Sequence, residues 1–410
     1  MAREQLEVHW TGETGATRHV GTLRLHGWAQ AQEFTYASTW LAEGFSIGEG
    51  MPLVSGPLSP PGGLLTFGVF DDAGPDAWGR QVVQRARSVS EWGNSVGLLS
   101  ATPDLPRQGA LRFSDSVDGP FLREIEESSF PAGIDTLSAI QADISSFVNG
   151  SDDPALLRRL FAGSSSQGGA RPKSAVISTD GRLLIAKFPA ESDRYDVQAC
   201  EAVALSIARE TGLPTPAFQL ERLDENRSIL LLERFDRTDQ GRLGYQSMRT
   251  ASGMGPYEEF NYKMAVSTAR RLAGKTAALS MVTAAALAIC VNNFDDHARN
   301  FGFLRQAGTW RLAPIFDVVP FPYQESGTPL LLGEDHRSLE QLLDIDWGLP
   351  RQLVLEAVTR VAEVAWHAWD DAPSRFGLAE DQAVRMRDFL RSGCDYESVL
   401  RADGPRFPRR

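Results

Sequence analysis

The chain has 410 residues, of which 42% are hydrophobic and 23% are charged, a composition typical of a globular protein with more than one hydrophobic core. Its formal net charge of -12 argues against direct, non-specific DNA binding, which needs a concentration of Lys and Arg. The three cysteines are far apart, which argues against a disulfide scaffold, and Arg3, Glu4 and Glu7 predict that there is no signal peptide, so we expect a cytoplasmic protein.

The first 134 residues predict short strands and turns followed by one helix. Residues 21–26 and 34–40 alternate apolar and polar side chains, as strands with one buried face do. Prolines and glycines between residues 52 and 63 then interrupt the chain. A helix is predicted from about Pro75 to Arg87. We therefore expect residues 1–134 to form a β-rich subdomain.

Residues 135–236 predict a second unit that mixes helices and strands. Two helices, a β-hairpin, a third helix and another strand pair are predicted at 136–148, 154–162, 174–188, 194–212 and 218–235. A β-hairpin followed by a helix and further strands is the plan of the nucleotide lobe of a protein kinase.

Residues 237–410 predict a mainly helical unit. Apolar residues recur at helical spacing near 257–272, 276–292, 350–370 and 379–392. The uncharged stretch from Thr276 to Phe294 is long enough to suggest a membrane span. It contains several Thr, Ser and Asn residues, so we interpret it as a buried helix and expect no contact with a membrane.

The strongest indication of a catalytic site is the segment Asn293-Phe-Asp-Asp-His-Ala-Arg-Asn300, which is followed by Asp317. Kinases place a catalytic Asp, an Asn and a second Asp at this kind of spacing. Asp295 would orient a substrate hydroxyl and accept its proton, whereas Asn300 and Asp317 offer the oxygen ligands that Mg²⁺ prefers. Residues 301–312 predict the hairpin that would bring Asp317 back towards Asn300. The alternative is that Asp295 and Asp296 only cap a helix end.

Other segments offer groups that would bind ATP. The Gly- and Ser-rich segment 163–169 would present backbone N–H groups to phosphate, and Lys187 resembles the strand lysine of kinases. Glu233 and Phe235 end an apolar strand, where they would contact adenine. Each feature also has a simpler explanation. The segment 163–169 could be an ordinary loop, Lys187 a surface lysine, and Glu233 and Phe235 the end of an ordinary strand. Glu201, on the next helix, would either pair with Lys187 or face solvent.

Taken together, these motifs resemble those of HipA-type toxins, which are bacterial Ser/Thr kinases of toxin–antitoxin systems. Residues Asn293–Asn300 resemble the catalytic loop of that family, and Ile315–Asp317 resembles its metal site. Ser166–Lys173 resembles the family's phosphate loop, and Glu233–Arg237 resembles its hinge. Pro75–Arg80 and Gly109–Phe113 resemble segments of its N-terminal subdomain. The resemblance implies an α+β, bilobal protein-kinase-like fold, with an N-terminal subdomain at 1–134, a kinase N-lobe at 135–236 and a helical C-lobe at 237–410.

The resemblance also implies a role for each candidate residue. Asp295 would be the catalytic aspartate, and Asn300 and Asp317 the magnesium ligands. Lys187, Glu233 and Phe235 would bind ATP together with the phosphate-loop residues Gln167, Gly168, Gly169, Ala170 and Lys173. Ser166 would be the autophosphorylated serine, and Ser164 is a further candidate because some relatives carry two such serines.

The implied cofactors are ATP and Mg²⁺, and the implied substrate is a protein of translation such as an aminoacyl-tRNA synthetase. The implied partner is a small DNA-binding antitoxin, through which the acidic chain would reach DNA only indirectly. Two alternatives stay open. The chain could be a phosphotransferase acting on a small molecule such as an antibiotic, or a catalytically silent co-repressor that binds its antitoxin.

Overall fold

The structure is a computed structural model that describes residues 4–27, 30–86, 94–122, 132–163, 169, 171–255, 258–323, 327–334, 337–393 and 399. The chain divides into two compact units. The first comprises Met1–Glu191, Leu231–Glu258 and Gly302–Thr309, and the second comprises Ser192–Leu230, Glu259–Phe301 and Trp310–Arg410.

The described residues form an α+β protein, as the sequence predicted. The strands are β1 (Gln5–Thr11), β2 (Thr17–His26), β3 (Ala31–Tyr36), β4 (Pro57–Leu58), β5 (Leu111–Ser114), β6 (Lys173–Ile177), β7 (Leu183–Lys187), β8 (Phe218–Arg222), β9 (Ser228–Glu233), β10 (Gly244–Ser247), β11 (Gly302–Gln306) and β12 (Thr309–Leu312). The helices are α1 (Ser38–Glu43), α2 (Gly68–Ala73), α3 (Ala77–Ala86), α4 (Ser95–Ala101), α5 (Leu137–Val148), α6 (Pro154–Gly163), α7 (Val197–Glu210), α8 (Met248–Ser252), α9 (Tyr262–Cys290), α10 (Leu339–Asp344), α11 (Arg351–Phe376) and α12 (Glu380–Gly393).

The first unit begins with a five-stranded antiparallel sheet in the order β4-β3-β2-β1-β5. Its core contains Trp10, Phe34, Trp40 and Phe113, with other apolar side chains of the same segment. The β-rich start of the chain is thus confirmed. The predicted strand at 34–40 is too long, because the chain leaves the sheet after Tyr36 and forms α1, which places Trp40 in the core.

The predicted hairpin in the middle of the chain is confirmed as β6 and β7, which pair with Lys173 opposite Lys187. The turn is closed by the Gly181 N–H, which donates to the Ser178 carbonyl at 3.0 Å. Gly181 has a φ of 84°, in the left-handed region that glycine enters without steric cost. The Leu231–Glu233 part of β9 also belongs to this unit.

The second unit is mainly helical, and α9 and α11 form its largest helix–helix contact. Asn261 caps the start of α9 by accepting the Met264 N–H at 2.9 Å. The sequence predicted two helices here, at 257–272 and 276–292. The structure joins them into one element with a break at Gly274, whose φ is 83°.

Among the described residues, one helix, α9, is long and apolar enough to span a membrane by length and composition alone. In its most apolar 18-residue window, 56% of the residues are buried inside the protein. Because the core helix of a globular protein passes the same test, this finding is weak evidence for a membrane span.

A buried ion pair ties together two of the motifs noted in the sequence. Arg234 and Asp236 lie 2.7 Å apart, and both side chains are fully buried. Asp236 also accepts the Gly109 N–H at 2.7 Å and a bond from Arg237 at 2.7 Å, while Arg234 donates to the Pro106 carbonyl. Burial alone would raise the pKa of Asp236, but Arg234 and Arg237 hold it below its ordinary value.

Replacing Asp236 should destabilise the fold strongly. Asp236→Asn leaves two buried guanidinium groups without their carboxylate, and removing one partner of a buried pair costs roughly 3–5 kcal/mol of unfolding free energy. Urea unfolding followed by circular dichroism measures the change. The matched control is Asp180→Asn, in an exposed pair with Arg182, which should leave the urea midpoint where it is. Equal midpoints for both variants would show that the buried pair does not support the fold.

Candidate active site

The candidate catalytic loop starts where α9 ends. The Asn293 N–H donates to the Ala288 carbonyl at 2.9 Å, and Asn292 has a left-handed φ of 49° that stops the helix. The Asn292 side chain then donates to the carbonyls of Phe321 and Tyr323, at 2.9 and 2.7 Å. The start of the loop is therefore held in position by the end of α9 and by residues 321–323.

The side chain of Asp296 anchors this loop from inside. Its carboxyl accepts hydrogen bonds from the Tyr262 hydroxyl and from the Asn293 side chain, the latter at 2.6 Å. Its backbone carbonyl accepts a bond from the Thr328 hydroxyl. Arg337 adds a bond to the Asn293 carbonyl at 2.7 Å. Tyr262, Thr328 and Arg337 are distant from the loop in sequence, so the loop is held from several sides.

Burial raises the pKa of Asp296 to about 6. The hydrogen bond from Tyr262 and the charge of Arg337 oppose this rise, whereas the nearby carboxylates of Asp317 and Asp295 add to it. Asp317 and Asp295 therefore each lie close enough to Asp296 for their charge to affect its pKa. The sequence predicted that Asp295 and Asp317 would converge, and the structure brings them to the same part of the second unit.

Asp295 and Asp296 are neighbours in the chain but differ in exposure. Asp295 is exposed and Asp296 is buried, so Asp295 is the one that a solute can reach. Asn300 donates from its side-chain nitrogen to the Asp295 carbonyl at 3.1 Å. Within the described part of the chain, the buried Oδ1 of Asn300 has no hydrogen-bond partner. The amide is therefore oriented by one atom and presents the other as an unused acceptor.

Asp317 adopts a backbone conformation that is rare for residues other than glycine, with a φ of 61°. Its N–H donates to the buried Glu201 side chain on α7 at 3.1 Å. Two residues earlier, the Ile315 N–H donates to the Pro214 carbonyl at 2.7 Å. Such strained positions often occur at functional sites, where the surroundings hold them in place.

The residues of the second unit fit a divalent cation. An unpartnered buried amide oxygen of Asn300 and the carboxylate of Asp317 are hard oxygen donors, as Mg²⁺ requires. Among the described residues, no group of three or more His, Cys, Asp and Glu side chains is arranged to hold a metal. A site with one amide and one carboxylate is compatible with that result, because Mg²⁺ usually takes its other ligands from phosphate and water.

The candidate ATP-binding residues that are described lie in the first unit. Lys187 ends β7 and is buried, with 8% of its surface exposed. Glu233 accepts a bond from Arg182 at 2.5 Å, and Phe235 is half-buried, with its ring 6.5 Å from that of Tyr245. Their contacts with nucleotide stay predictions.

The end of the glycine-rich segment is fixed by contacts with the start of α3. Lys173 is buried, and its Nζ lies 3.3 Å from the Asp76 carboxylate and 3.3 Å from the Gly169 carbonyl. The Gly169 carbonyl also accepts the Trp78 N–H at 3.3 Å. Gly169 and Lys173 therefore have structural contacts in addition to their predicted role with ATP. Gln167, Gly168, Ala170, Ser164 and Ser166 lie outside the described residues.

Comparison with known protein families gives two matches. The profile for the HipA-like C-terminal domain matches residues 165–369, which is half of the chain, and the profile for the HipA N-terminal domain matches residues 12–113. The chain belongs to the HipA-like family. The resemblance inferred from the motifs is thereby confirmed, and both domain profiles include segments that carried it.

Two solved structures are similar to this chain. The HipA-like chain is similar to HipA in the complex of Shewanella oneidensis MR-1 HipA, HipB and operator DNA, with a TM-score of 0.71, 19% sequence identity and 97% of each chain covered. This similarity shows the fold, which is the α+β kinase-like fold expected from the sequence. A second similar structure is the Helicobacter pylori proinflammatory kinase CtkA, with a TM-score of 0.44, 15% identity, and coverage of 56% of this chain and 94% of that one. A comparison with curated proteins gave no match.

The motifs did not reveal every residue that positions the site of the HipA-like chain. The sequence predicted that Glu201 would either pair with Lys187 or face solvent. Glu201 is buried, and its side chain accepts a hydrogen bond from the backbone N–H of Asp317. Asp296, Tyr262 and Arg337 support the loop from inside, and none of them was assigned this role from sequence. The one available signal was the second acidic residue in Asp295-Asp296, since two adjacent carboxylates seldom share one function.

The raised pKa of Asp296 predicts a specific dependence of stability on pH. The folded state binds this proton more tightly than the unfolded chain does, so the stabilisation is complete below about pH 4 and is lost as the pH rises through about 6. Relative to Asp296→Asn, wild-type unfolding free energy should therefore fall by about 2–3 kcal/mol over this interval and then level off. Urea unfolding of both proteins from pH 4 to 7.5 measures the difference. Parallel curves would contradict a titrating carboxyl at this position.

Proposed function

We propose that this HipA-like chain is an ATP- and Mg²⁺-dependent protein Ser/Thr kinase that acts as the toxin of a toxin–antitoxin module. The observation that carries the proposal is the arrangement of the second unit. An exposed Asp295, a buried and oriented Asn300, and a strained Asp317 held by Glu201 lie around one anchored loop. In phosphoryl transfer the protein contributes mainly by positioning the reactants and stabilising charge, and these three side chains are the groups that do so in kinases.

Asp295 would orient the hydroxyl of the substrate and accept its proton late in the transfer. Asn300 and Asp317 would hold Mg²⁺ through their side-chain oxygens. When bound, Mg²⁺ neutralises charge on the phosphate oxygens. Asp296 stays out of the reaction because it is buried and already hydrogen-bonded, and it keeps the loop backbone in place for its neighbour.

Residues of the first unit would bind ATP. Lys187 would neutralise phosphate charge, and the backbone N–H groups of residues 167–170 would contact phosphate oxygens. Glu233 and Phe235 would contact adenine, while Lys173 would keep the end of the phosphate loop attached to Asp76. Phosphorylation of Ser166, or of Ser164, would place negative charge where ATP phosphate binds, and so would reduce ATP binding.

The substrate would be a hydroxyl of a protein, and a component of translation such as an aminoacyl-tRNA synthetase is the expected target. A small DNA-binding antitoxin is the expected partner. The similar Shewanella structure is a complex of HipA, HipB and operator DNA, which supports this choice. The net charge of -12 also favours contact with DNA through such a partner.

Incubation of the purified chain with γ-labelled ATP and Mg²⁺ tests the reaction. We expect label on the chain itself, located by phosphopeptide mass spectrometry at Ser166 or Ser164. Asp295→Asn should lower labelling by roughly 100-fold or more, because it removes the proton acceptor. Asp371→Asn, an exposed position on α11, serves as the control and should label normally. Label confined to added small molecules would favour an antibiotic-type phosphotransferase, and growth arrest unaffected by Asp295→Asn would favour the co-repressor role.

Asp317→Ala should lose Mg²⁺-dependent ATP binding and keep its fold. The side chain is expected to hold the metal, and its removal creates no cavity in the core, since Asp317 is only partly buried. Calorimetry should show ATP affinity in Mg²⁺ weakened by more than about tenfold, with an unchanged circular dichroism spectrum. Asp371→Ala is the matched control. Equal affinities for wild type and Asp317→Ala would rule out the proposed ligand.

A further inference from the structure

Three aromatic side chains lie in contact beside the candidate catalytic residue, and the proposed chemistry does not use them. The ring centroids of Phe294 and Phe321 are 4.4 Å apart, and those of Phe321 and Tyr323 are 5.1 Å apart. Phe321 therefore contacts both of the others. We call Phe294, Phe321 and Tyr323 the aromatic row. All three belong to the second unit, as do Asp295 and Asp317.

The aromatic row is not buried in the core. Phe294 and Phe321 are half-buried, and Tyr323 keeps 36% of its surface exposed. Aromatic side chains have a large apolar area, so leaving several of them partly in contact with water is unfavourable. Contiguous exposed apolar groups are typical of places where another molecule binds.

Backbone hydrogen bonds fix the segment that carries the last two rings. The Phe321 N–H donates to the Val291 carbonyl at 3.3 Å, and the Tyr195 hydroxyl donates to the Pro320 carbonyl at 2.9 Å. The Asn292 side chain adds its two bonds to carbonyls of the same segment. All of these bonds use backbone groups of the segment, so they do not depend on aromatic side chains. The aromatic character of these positions therefore needs another explanation.

The aromatic row begins at the catalytic position. Phe294 directly precedes Asp295, the exposed residue that would orient the accepting hydroxyl. Neighbouring Cα atoms are about 3.8 Å apart, so a substrate whose hydroxyl reaches Asp295 comes within about one residue's length of Phe294. From there the row continues through Phe321 to Tyr323. A molecule no larger than the accepting residue would not extend along the row, whereas a polypeptide would.

We propose that the aromatic row binds a large apolar side chain of the protein substrate, in the segment next to the accepting Ser or Thr. This inference rests on the proposed kinase function and specifies the kind of segment that the kinase accepts. Burial of the apolar side chain against the rings provides affinity. A polar or charged side chain in the same place would be desolvated against rings that offer few hydrogen bonds, so it would bind less well.

Two peptides that differ only beside a single Ser test the proposal. One carries Leu at the flanking positions and the other carries Gln, and both are incubated with the full chain, ATP and Mg²⁺. We expect kcat/KM for the Leu peptide to exceed that for the Gln peptide by about tenfold. Tyr323→Ala should reduce this ratio by about threefold or more through KM, with kcat and the KM for ATP unchanged. Tyr323→Phe keeps the ring and should keep the ratio.

Two further variants make the test specific. Leu353→Ala removes an exposed apolar side chain of α11 that is outside the aromatic row, and this matched control should keep the wild-type ratio. Tyr323→Arg introduces a positive charge and should favour a peptide with Glu in place of Leu by about threefold relative to the wild type. Both substituted side chains are exposed, so circular dichroism spectra should not change.

Self-labelling of the chain separates failure of this inference from failure of the proposed function. Three results would overturn the aromatic row as a substrate site and leave the kinase proposal standing. They are equal kcat/KM for the Leu and Gln peptides, a ratio that Tyr323→Ala does not alter, and self-labelling without transfer to either peptide. No label on the chain or on any peptide would overturn both proposals.

Discussion

The buried carboxyl of Asp296 is the contact on which the candidate active site depends. It accepts bonds from Tyr262 at the start of α9 and from Asn293 just beyond its end. A carboxyl in this position is expensive to bury, and its hydrogen bonds are what make the burial tolerable. The loop therefore cannot move away from α9 without exposing unpaired polar groups, and the positions of Asp295 and Asn300 follow from this restraint.

The acidic side chains of this site differ in burial and in backbone conformation. Asp296 is buried and has a raised pKa, while Asp295 is exposed. Asp317 is kept in a left-handed conformation whose strain is of the order of 1–3 kcal/mol, and the hydrogen bond from its N–H to Glu201 is one of the contacts that holds it. Bringing negative charges together raises their energy, and a bound cation would relieve it. This is the physical reason to connect the arrangement with Mg²⁺.

Local patterns predicted most of the elements, because periodicity and turn residues act over a few neighbours. The hairpin at 174–188, the break near Gly274 and the helices at 351–376 and 380–393 all follow from such short-range rules. Contacts between distant residues were not predictable in the same way. Lys173 and Asp76 are separated by 97 positions, and Glu201 and Asp317 by 116 positions. In neither pair does the local sequence around one residue indicate the other residue as its partner. The error at 34–40 has the same origin, since burial of Trp40 in the core overrides local alternation.

The segment Glu233–Arg237 shows why a motif cannot be interpreted from its resemblance alone. Arg234 and Asp236 are fully buried and attach this segment to residues 106–109, which is a structural role independent of any nucleotide. Arg237 contributes to that network through its bonds to the Asp236 carboxylate and the Arg107 carbonyl.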